Sequence, residues 1–244
     1  MTDIPADSWV ERQREVFKAR RHFIRDVLFD RIVRTLLWEV TVEGLNNIPA
    51  SGPAILMINH TTAADPVAVM GMTRPRFPVP MSKIENFWHP VIGLFARSWG
   101  AFPVRRGEVD RNALRVTLEL LKAGELTLIA PEGTRNHALI RPRDGLAYIA
   151  TRADPPPVIV PVAIYNIETW LKDLFIPWRR TPVHLTYGRG FRLRTGGRGR
   201  IPREELRRMM DEMMYQLAVL LPESMRGVYA DLSKMTTDYL EFLP

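Results

Sequence analysis

Apolar residues in this chain fall into two kinds of run. The first is short, continuous and bounded by breakers. Ala54-Ile55-Leu56-Met57-Ile58 follows Ser51-Gly52-Pro53 and predicts a buried strand over 54–59. Leu126–Ala130 and Val158–Ile164 are runs of the same kind, and Val183–Tyr187 alternates as a half-exposed strand does. The second kind repeats every three or four residues. Leu114, Leu118 and Leu121 predict a helix over Asp110–Ala123, with Asp110 as cap and Gly124 as stop. Leu206, Met209, Met210, Met213, Leu217 and Leu220 predict another over Arg203–Leu221, where the methionines read as core filler. A shorter helix is predicted over Pro66–Met72, then a breaker-rich stretch with Pro75, Pro78 and Pro80, then an aromatic segment, Phe87–Phe95. The alternation of strand and helix predicts an α/β fold: a mostly buried mixed sheet flanked by helices, one domain over residues 39–244.

Residues 9–38 read as helix with a mixed face, so that 1–38 forms an N-terminal amphipathic segment. Ile24, Val27, Leu28, Ile32 and Leu36 recur at helical spacing, while Arg25 and Arg31 intrude and Arg20, Arg21 and Arg34 flank. Two readings stand side by side. The helix lies among lipid headgroups with its Arg stems snorkelling, or it docks on the protein's own core.

Composition narrows the function classes. The chain has 244 residues, 46% of them hydrophobic and 25% charged, as an ordinary globular domain does. It has no cysteine, which excludes disulfides, thiol nucleophiles and cysteine-bound zinc. The net charge of +7 favours an anionic partner, and Arg141–Arg203 holds twelve Arg or Lys against four acids. Met1–Pro5 has neither a basic nor an apolar signal region, and no uncharged apolar run approaches bilayer-spanning length, so the expectation is a cytoplasmic protein with peripheral or monotopic membrane attachment.

The chemistry sits where buried strands end. Asn59-His60-Thr61-Thr62-Ala63-Ala64-Asp65-Pro66 directly follows the first strand and places a histidine five residues before an aspartate. A carboxylate on one ring nitrogen fixes the tautomer and frees the other nitrogen to take a proton. The plainer reading makes Asp65 the cap of a helix beginning at Pro66. Pro131-Glu132-Gly133-Thr134-Arg135 follows the strand Leu126–Ala130, and parallel pairing would bring both loops to one end of the sheet. Gly133 permits a left-handed turn with N–H groups turned outward, and Arg135 can grip a phosphate with Thr134 assisting. Gly100-Ala101-Phe102-Pro103-Val104-Arg105-Arg106 adds two cations, and Lys83 a further one.

His-x4-Asp, Gly-x5-Arg, Glu-Gly-Thr-Arg and Val-Pro-Val, in that order over about residues 40–220, resemble the glycerophospholipid acyltransferase family. The resemblance implies a catalytic pair at His60 and Asp65, and a phosphate-binding Arg106 with Arg105 before it. It implies acceptor binding by Glu132, Gly133, Thr134 and Arg135, and a site-shaping Val160-Pro161-Val162. Thr62 stands where the family often has Ser, and Arg105 where many members carry an acid. The implied reaction moves a fatty acyl group from acyl-CoA or acyl carrier protein to a phosphorylated glycerol-type acceptor, most simply 1-acyl-sn-glycerol-3-phosphate, with glycerol-3-phosphate or a lipid sugar as alternatives. It needs no metal or organic cofactor. Its expected partners are an anionic membrane surface, the thioester donor and a lysophospholipid.

Other classes fit less well. A serine hydrolase would show Gly-x-Ser-x-Gly, and none of the six serines lies in such an elbow. The five histidines show no metal-ligand spacing. The Arg- and Gly-rich tract 189–200 can suit RNA, but a basic loop facing phosphate-rich lipid explains it equally, so no nucleic-acid partner is expected. A membrane-binding protein without catalysis would have no use for the intact His-Asp pair.

Overall fold

The strongly patterned runs take up the elements their patterns predict in a computed structural model that describes residues 6–105, 107, 110–195 and 201–243. In chain order, helices α1 (Ala6–Glu15) and α2 (Phe17–His22) lead through a π-helical segment, Phe23–Leu37, into strand β1 (Trp38–Glu43). Then come β2 (Ala54–Ile58), α3 (Asp65–Met72), β3 (Val79–Lys83), α4 (Pro90–Trp99), β4 (Phe102–Val104), α5 (Arg111–Lys122) and β5 (Leu126–Ile129). They are followed by α6 (Gly145–Arg152), β6 (Val158–Tyr165), α7 (Trp170–Asp173), β7 (Thr181–Tyr187), β8 (Phe191–Leu193), α8 (Arg203–Ala218) and β9 (Leu240–Phe242).

The sheet runs β1-β7-β6-β2-β5-β3-β4, with β8 and β9 added beside β6. β2 pairs in parallel with both β5 and β6, β5 with β3, and β3 with β4. β7 runs antiparallel to β6, and β1 parallel to β7. Strands β2 to β6 therefore all end at one edge of the sheet, the edge from which β7 and β1 start. Residues just past those five strand ends meet there.

Period-two alternation divides the core. Ile55, Met57, Ile159 and Ala163 face a layer built by α6 and α8. Leu56, Ile58, Val160 and Val162 face the opposite layer, where α3 and the Phe23–Leu37 segment pack. Met209, Met210, Met213 and Met214 of α8 are fully buried, each burial stabilising by about 1.5–3 kcal/mol. Asp110 caps α5 by accepting the Ala113 N–H at 2.9 Å.

The structure adds elements that the sequence pattern left unassigned: β1, β3, β4, α4 and α6, with β8 and β9 near the C-terminus. It also turns the N-terminal segment over. Of the five stripe residues that an amphipathic helix would bury, Val27, Leu28, Ile32 and Leu36 are exposed, while Ile24 packs partly buried against the core. Trp9, Phe17, Arg21, Arg25 and Phe29 face inward instead. Arg21 is accommodated because Nε donates to the Trp99 carbonyl at 2.7 Å and Nη2 to Gln13, with Phe17 and Trp99 beside the guanidinium. Burial pushes its pKa down to about 10 although Glu125 opposes the shift. Arg25 lies 4.2 Å from the Phe77 ring centre, and Arg74 Nη2 reaches both oxygens of Asp30, at 2.9 and 2.7 Å. The segment is thus docked on the body through its arginines and aromatics, leaving an apolar stripe outside. No helix among the described residues is long and apolar enough to cross a membrane.

Candidate active site

Strand β2 delivers His60 to the shared edge, and Asn59 fastens its exit. The Asn59 side chain donates to the Ile164 carbonyl and accepts the Ile164 N–H, both at 2.8 Å, tying the end of β2 to β6. His60 is 7% exposed and Asp65 completely buried. His60 Nδ1 lies 3.0 Å from Asp65 Oδ2. The same oxygen accepts the N–H groups of Thr61 at 2.6 Å and Thr62 at 2.7 Å, while the Thr62 hydroxyl donates to Oδ1 at 2.7 Å. A carboxylate partner assigns the ring proton to Nδ1 and leaves Nε2 with its lone pair. Asp65 is not the cap that the plainer reading expected. The helix includes it, Ala64 takes the cap position, and its carboxylate turns back to the loop and to His60.

The second loop is fixed to the first. Gly133 adopts the left-handed φ of 68°, which a side chain would strain, and its N–H donates to the Ala130 carbonyl at 3.1 Å rather than turning outward. Glu132 points into the protein. Its Oε2 accepts the Ile140 N–H at 3.1 Å and the Asn136 amide at 3.3 Å. Burial pushes the Glu132 pKa up to about 7, opposed by those bonds and by one from the His60 backbone. Asn136 N–H in turn donates to the His60 carbonyl at 2.8 Å. Glu132 and Asn136 thus hold His60 by its main chain. No sequence motif assigns a role to Asn59 or Asn136. Their signal is positional, each flanking a motif at a strand exit.

The Glu132 carboxyl makes a pH test. It binds a proton more tightly when folded than when unfolded, so between about pH 4.5 and 7 the native state holds the extra proton. Its contribution to stability is fully present below pH 4.5 and is lost as the pH rises through 7. The melting temperature of wild type should therefore fall relative to Glu132→Gln across that window in a thermal-melt series. A constant difference would show that Glu132 titrates normally.

The strand order β2-β5-β3-β4 ranks the cations. Thr134 and Arg135 follow β5 and are exposed, Lys83 ends β3, and Arg105 follows β4 and is exposed. They leave from strands one, two and three places from β2, roughly 5, 10 and 14 Å along the sheet. Lys83 Nζ is paired with Glu85 Oε1 at 3.3 Å. The Arg105 N–H donates to Asp110. Arg106 lies outside the described residues. Among the described residues, no group of three or more His, Asp or Glu side chains could hold a metal ion.

Residues 39–165, which hold the His60 and Glu132 loops, match the family description Acyltransferase. A 1-acyl-sn-glycerol-3-phosphate acyltransferase of Bacillus subtilis is 29% identical over 145 residues, 59% of this chain and 71% of that protein. The enzyme of the same name from Streptococcus pneumoniae is 30% identical over 163 residues, 64% of this chain and 59% of its own length. Among solved structures, the 1-acyl-sn-glycerophosphate acyltransferase PlsC of Thermotoga maritima superposes with a TM-score of 0.59 at 22% identity, over 93% of this chain and 84% of that one. That likeness is one of fold.

Proposed function

Because the chain belongs to the acyltransferase family and is an O-acyltransferase, we propose that it moves a fatty acyl group from a thioester to the free hydroxyl of 1-acyl-sn-glycerol-3-phosphate. The observation that carries this reading is the His60–Asp65 pair at the exit of the central strand, with the Arg135 loop on the next strand. Two relatives carry the name of that activity.

In the proposed reaction His60 Nε2 takes the proton of the acceptor hydroxyl as its oxygen attacks the thioester carbonyl. The C–S bond breaks in the collapse of the tetrahedral intermediate, and the departing thiolate takes the proton back from the imidazolium. Asp65 orients the ring and stabilises its charged form. The thioester is already activated, so no enzyme nucleophile is needed. The N–H groups of Thr61, Thr62 and Gly133 are engaged by Asp65 and Ala130. The oxyanion's donors are therefore other groups. Acyl-CoA and acyl carrier protein both supply the required thioester, and neither needs a metal or organic cofactor for this step.

Arg135, in the loop that follows β5 beside β2, is the proposed phosphate anchor, with Lys83 and Arg105 contributing from further along the edge and Arg106 as a further proposed phosphate ligand. Holding the phosphate places the glycerol hydroxyl against His60, which converts binding energy into orientation. Arg135→Ala should raise KM for the phosphorylated acceptor about 10- to 100-fold, the worth of a charge-assisted hydrogen bond. Turnover of a lysolipid lacking the phosphate should change little. Equal KM values for wild type and variant on the phosphorylated acceptor would remove this assignment.

A further inference from the structure

The segment between β6 and β7 carries a feature that the catalytic reading does not use. β6 ends at the same edge as β2, so residues 166–180 leave from beside His60. They project an apolar tip: Phe175 is 85% exposed and Trp178 fully so, with Leu171, Leu174 and Ile176 exposed around them. The tip is held firmly. Asp173 is buried beneath it and accepts the Thr169 hydroxyl at 2.7 Å and the Thr181 hydroxyl at 3.0 Å, and it pairs with Arg179 Nε at 2.9 Å. One carboxylate thus ties together both ends of the excursion. Those bonds hold the Asp173 pKa below the usual carboxylate range. Trp178 itself has a φ of 65°, a left-handed backbone that bulky residues rarely adopt. A rigid scaffold therefore presents a large aromatic ring to water.

The excursion is fastened to a second element that carries exposed apolar residues. Arg180 Nη2 donates to the carbonyls of Arg34 at 2.8 Å and Trp38 at 2.7 Å, fastening the excursion to the end of the Phe23–Leu37 segment. There Leu36 is exposed, and Ile32, Leu28 and Phe23 continue the stripe at spacings of four or five residues, which a helix of i→i+5 bonds keeps on one side. On the other side of the edge, a 3-10 helix (Ile84–Trp88) leads from the end of β3 into α4, and Trp88, Val91 and Leu94 along this stretch are exposed. Apolar surface on three elements thus stands around the edge where His60 lies. Large apolar side chains exposed in such numbers around one edge mark an interaction surface. Lys172 and Arg179 bracket the tip, and Arg31 and Arg34 border the stripe.

We propose that this rim is a lipid-bilayer docking face, with the rigid Phe175–Trp178 tip inserted into an anionic leaflet and the neighbouring cations against its headgroups. The inference rests on the acyl-transfer reading, since it sets the site's mouth on the leaflet from which a lipid acceptor enters. Aromatic side chains with bordering cations suit the zone between headgroup and acyl chain, which a flat protein partner does not offer. Removal of residues 1–38 is a poor probe of attachment, because it takes Trp9, Phe17 and Phe29 out of the core.

The test uses the full chain and vesicles of phosphatidylglycerol and phosphatidylethanolamine. The double variant F175S/W178S should lose partition into these vesicles by about tenfold per side chain. In a second measurement, quenching of tryptophan emission by vesicles of brominated phosphatidylglycerol should be smaller in W178F than in wild type. Unchanged partition together with unchanged quenching overturns the proposal. So does unchanged partition with a shift from dimer to monomer in sedimentation, which would give the face to a second copy. Turnover of a short-chain, water-soluble acceptor by wild type is read separately. Its absence would count against the acyl-transfer reading, while the partition result still decides the docking face.

Discussion

Replacing His60 by alanine is expected to lower kcat for acyl transfer by about 10²- to 10⁴-fold, the usual worth of a positioned general base, with little change in KM for the acceptor. The side chain's hydrogen bond is to Asp65, whereas the loop is held by main-chain bonds that alanine keeps, including Asn136 N–H to the residue 60 carbonyl. The melting temperature should therefore stay near that of wild type, which separates a chemical loss from a folding one. Turnover by His60→Ala at the wild-type rate would remove the base from the mechanism.

Asp65 should show two effects that different substitutions separate. Asp65→Ala leaves the N–H groups of Thr61 and Thr62, and the Thr62 hydroxyl, without their acceptor beside a fully buried position. Unmet donors of this kind cost about 1–3 kcal/mol each. A loss of about 2–4 kcal/mol is expected, which for a chain of this size lowers the melting temperature by roughly 5–15 °C. Asp65→Asn retains an oxygen for the two N–H groups, so its stability should suffer less. That oxygen is also the acceptor of the His60 Nδ1 proton, so the ring keeps its tautomer. The NH2 takes the place of Oδ1 opposite the Thr62 hydroxyl, and what is lost is the negative charge that stabilises the imidazolium. Asparagine should thus reduce kcat, though by less than His60→Ala, while melting closer to wild type. An Asp65→Asn enzyme with near wild-type kcat would show that Asp65 serves the loop and not the ring.

The parts of the fold that could be read from sequence are those whose local pattern and final environment agree. Ala54–Ile58 and Val158–Ile164 are apolar on both faces, and both are core strands covered on both sides. α5 and α8 keep the helical stripe that their sequences show. β3 escaped because Pro80 lies within it and broken runs read as loop, although it pairs with β5. β1 alternates apolar and polar residues from Trp38 to Glu43, but it directly follows a helical pattern that masks its start. The inverted N-terminal segment was illegible for a different reason. Periodicity assigns apolar residues inward, whereas Arg21 and Arg25 are buried because carbonyls and aromatic rings from distant segments receive them.

The site divides along the same line. His60 and Asp65 are five residues apart, and the contact between them is local, so spacing alone placed them together. That both loops share an edge followed from parallel pairing of their strands. The family resemblance implies that Glu132 binds the acceptor, whereas its carboxyl is committed to Ile140 and Asn136, contacts set by how the loop folds back. Asn59 reaches Ile164 across the sheet, which no local pattern announces.

The central claim is direct transfer of an acyl group to the free hydroxyl of a lysophosphatidic acid. It is tested most directly by mass spectrometry of the products formed when purified protein is given 1-acyl-sn-glycerol-3-phosphate with acyl-CoA or with acyl carrier protein carrying an acyl chain of defined mass. The expected result is 1,2-diacyl-sn-glycerol-3-phosphate carrying that chain, formed by wild type and greatly reduced with His60→Ala. Release of free fatty acid with no acylated glycerophosphate, under conditions where the donor is consumed, would contradict it.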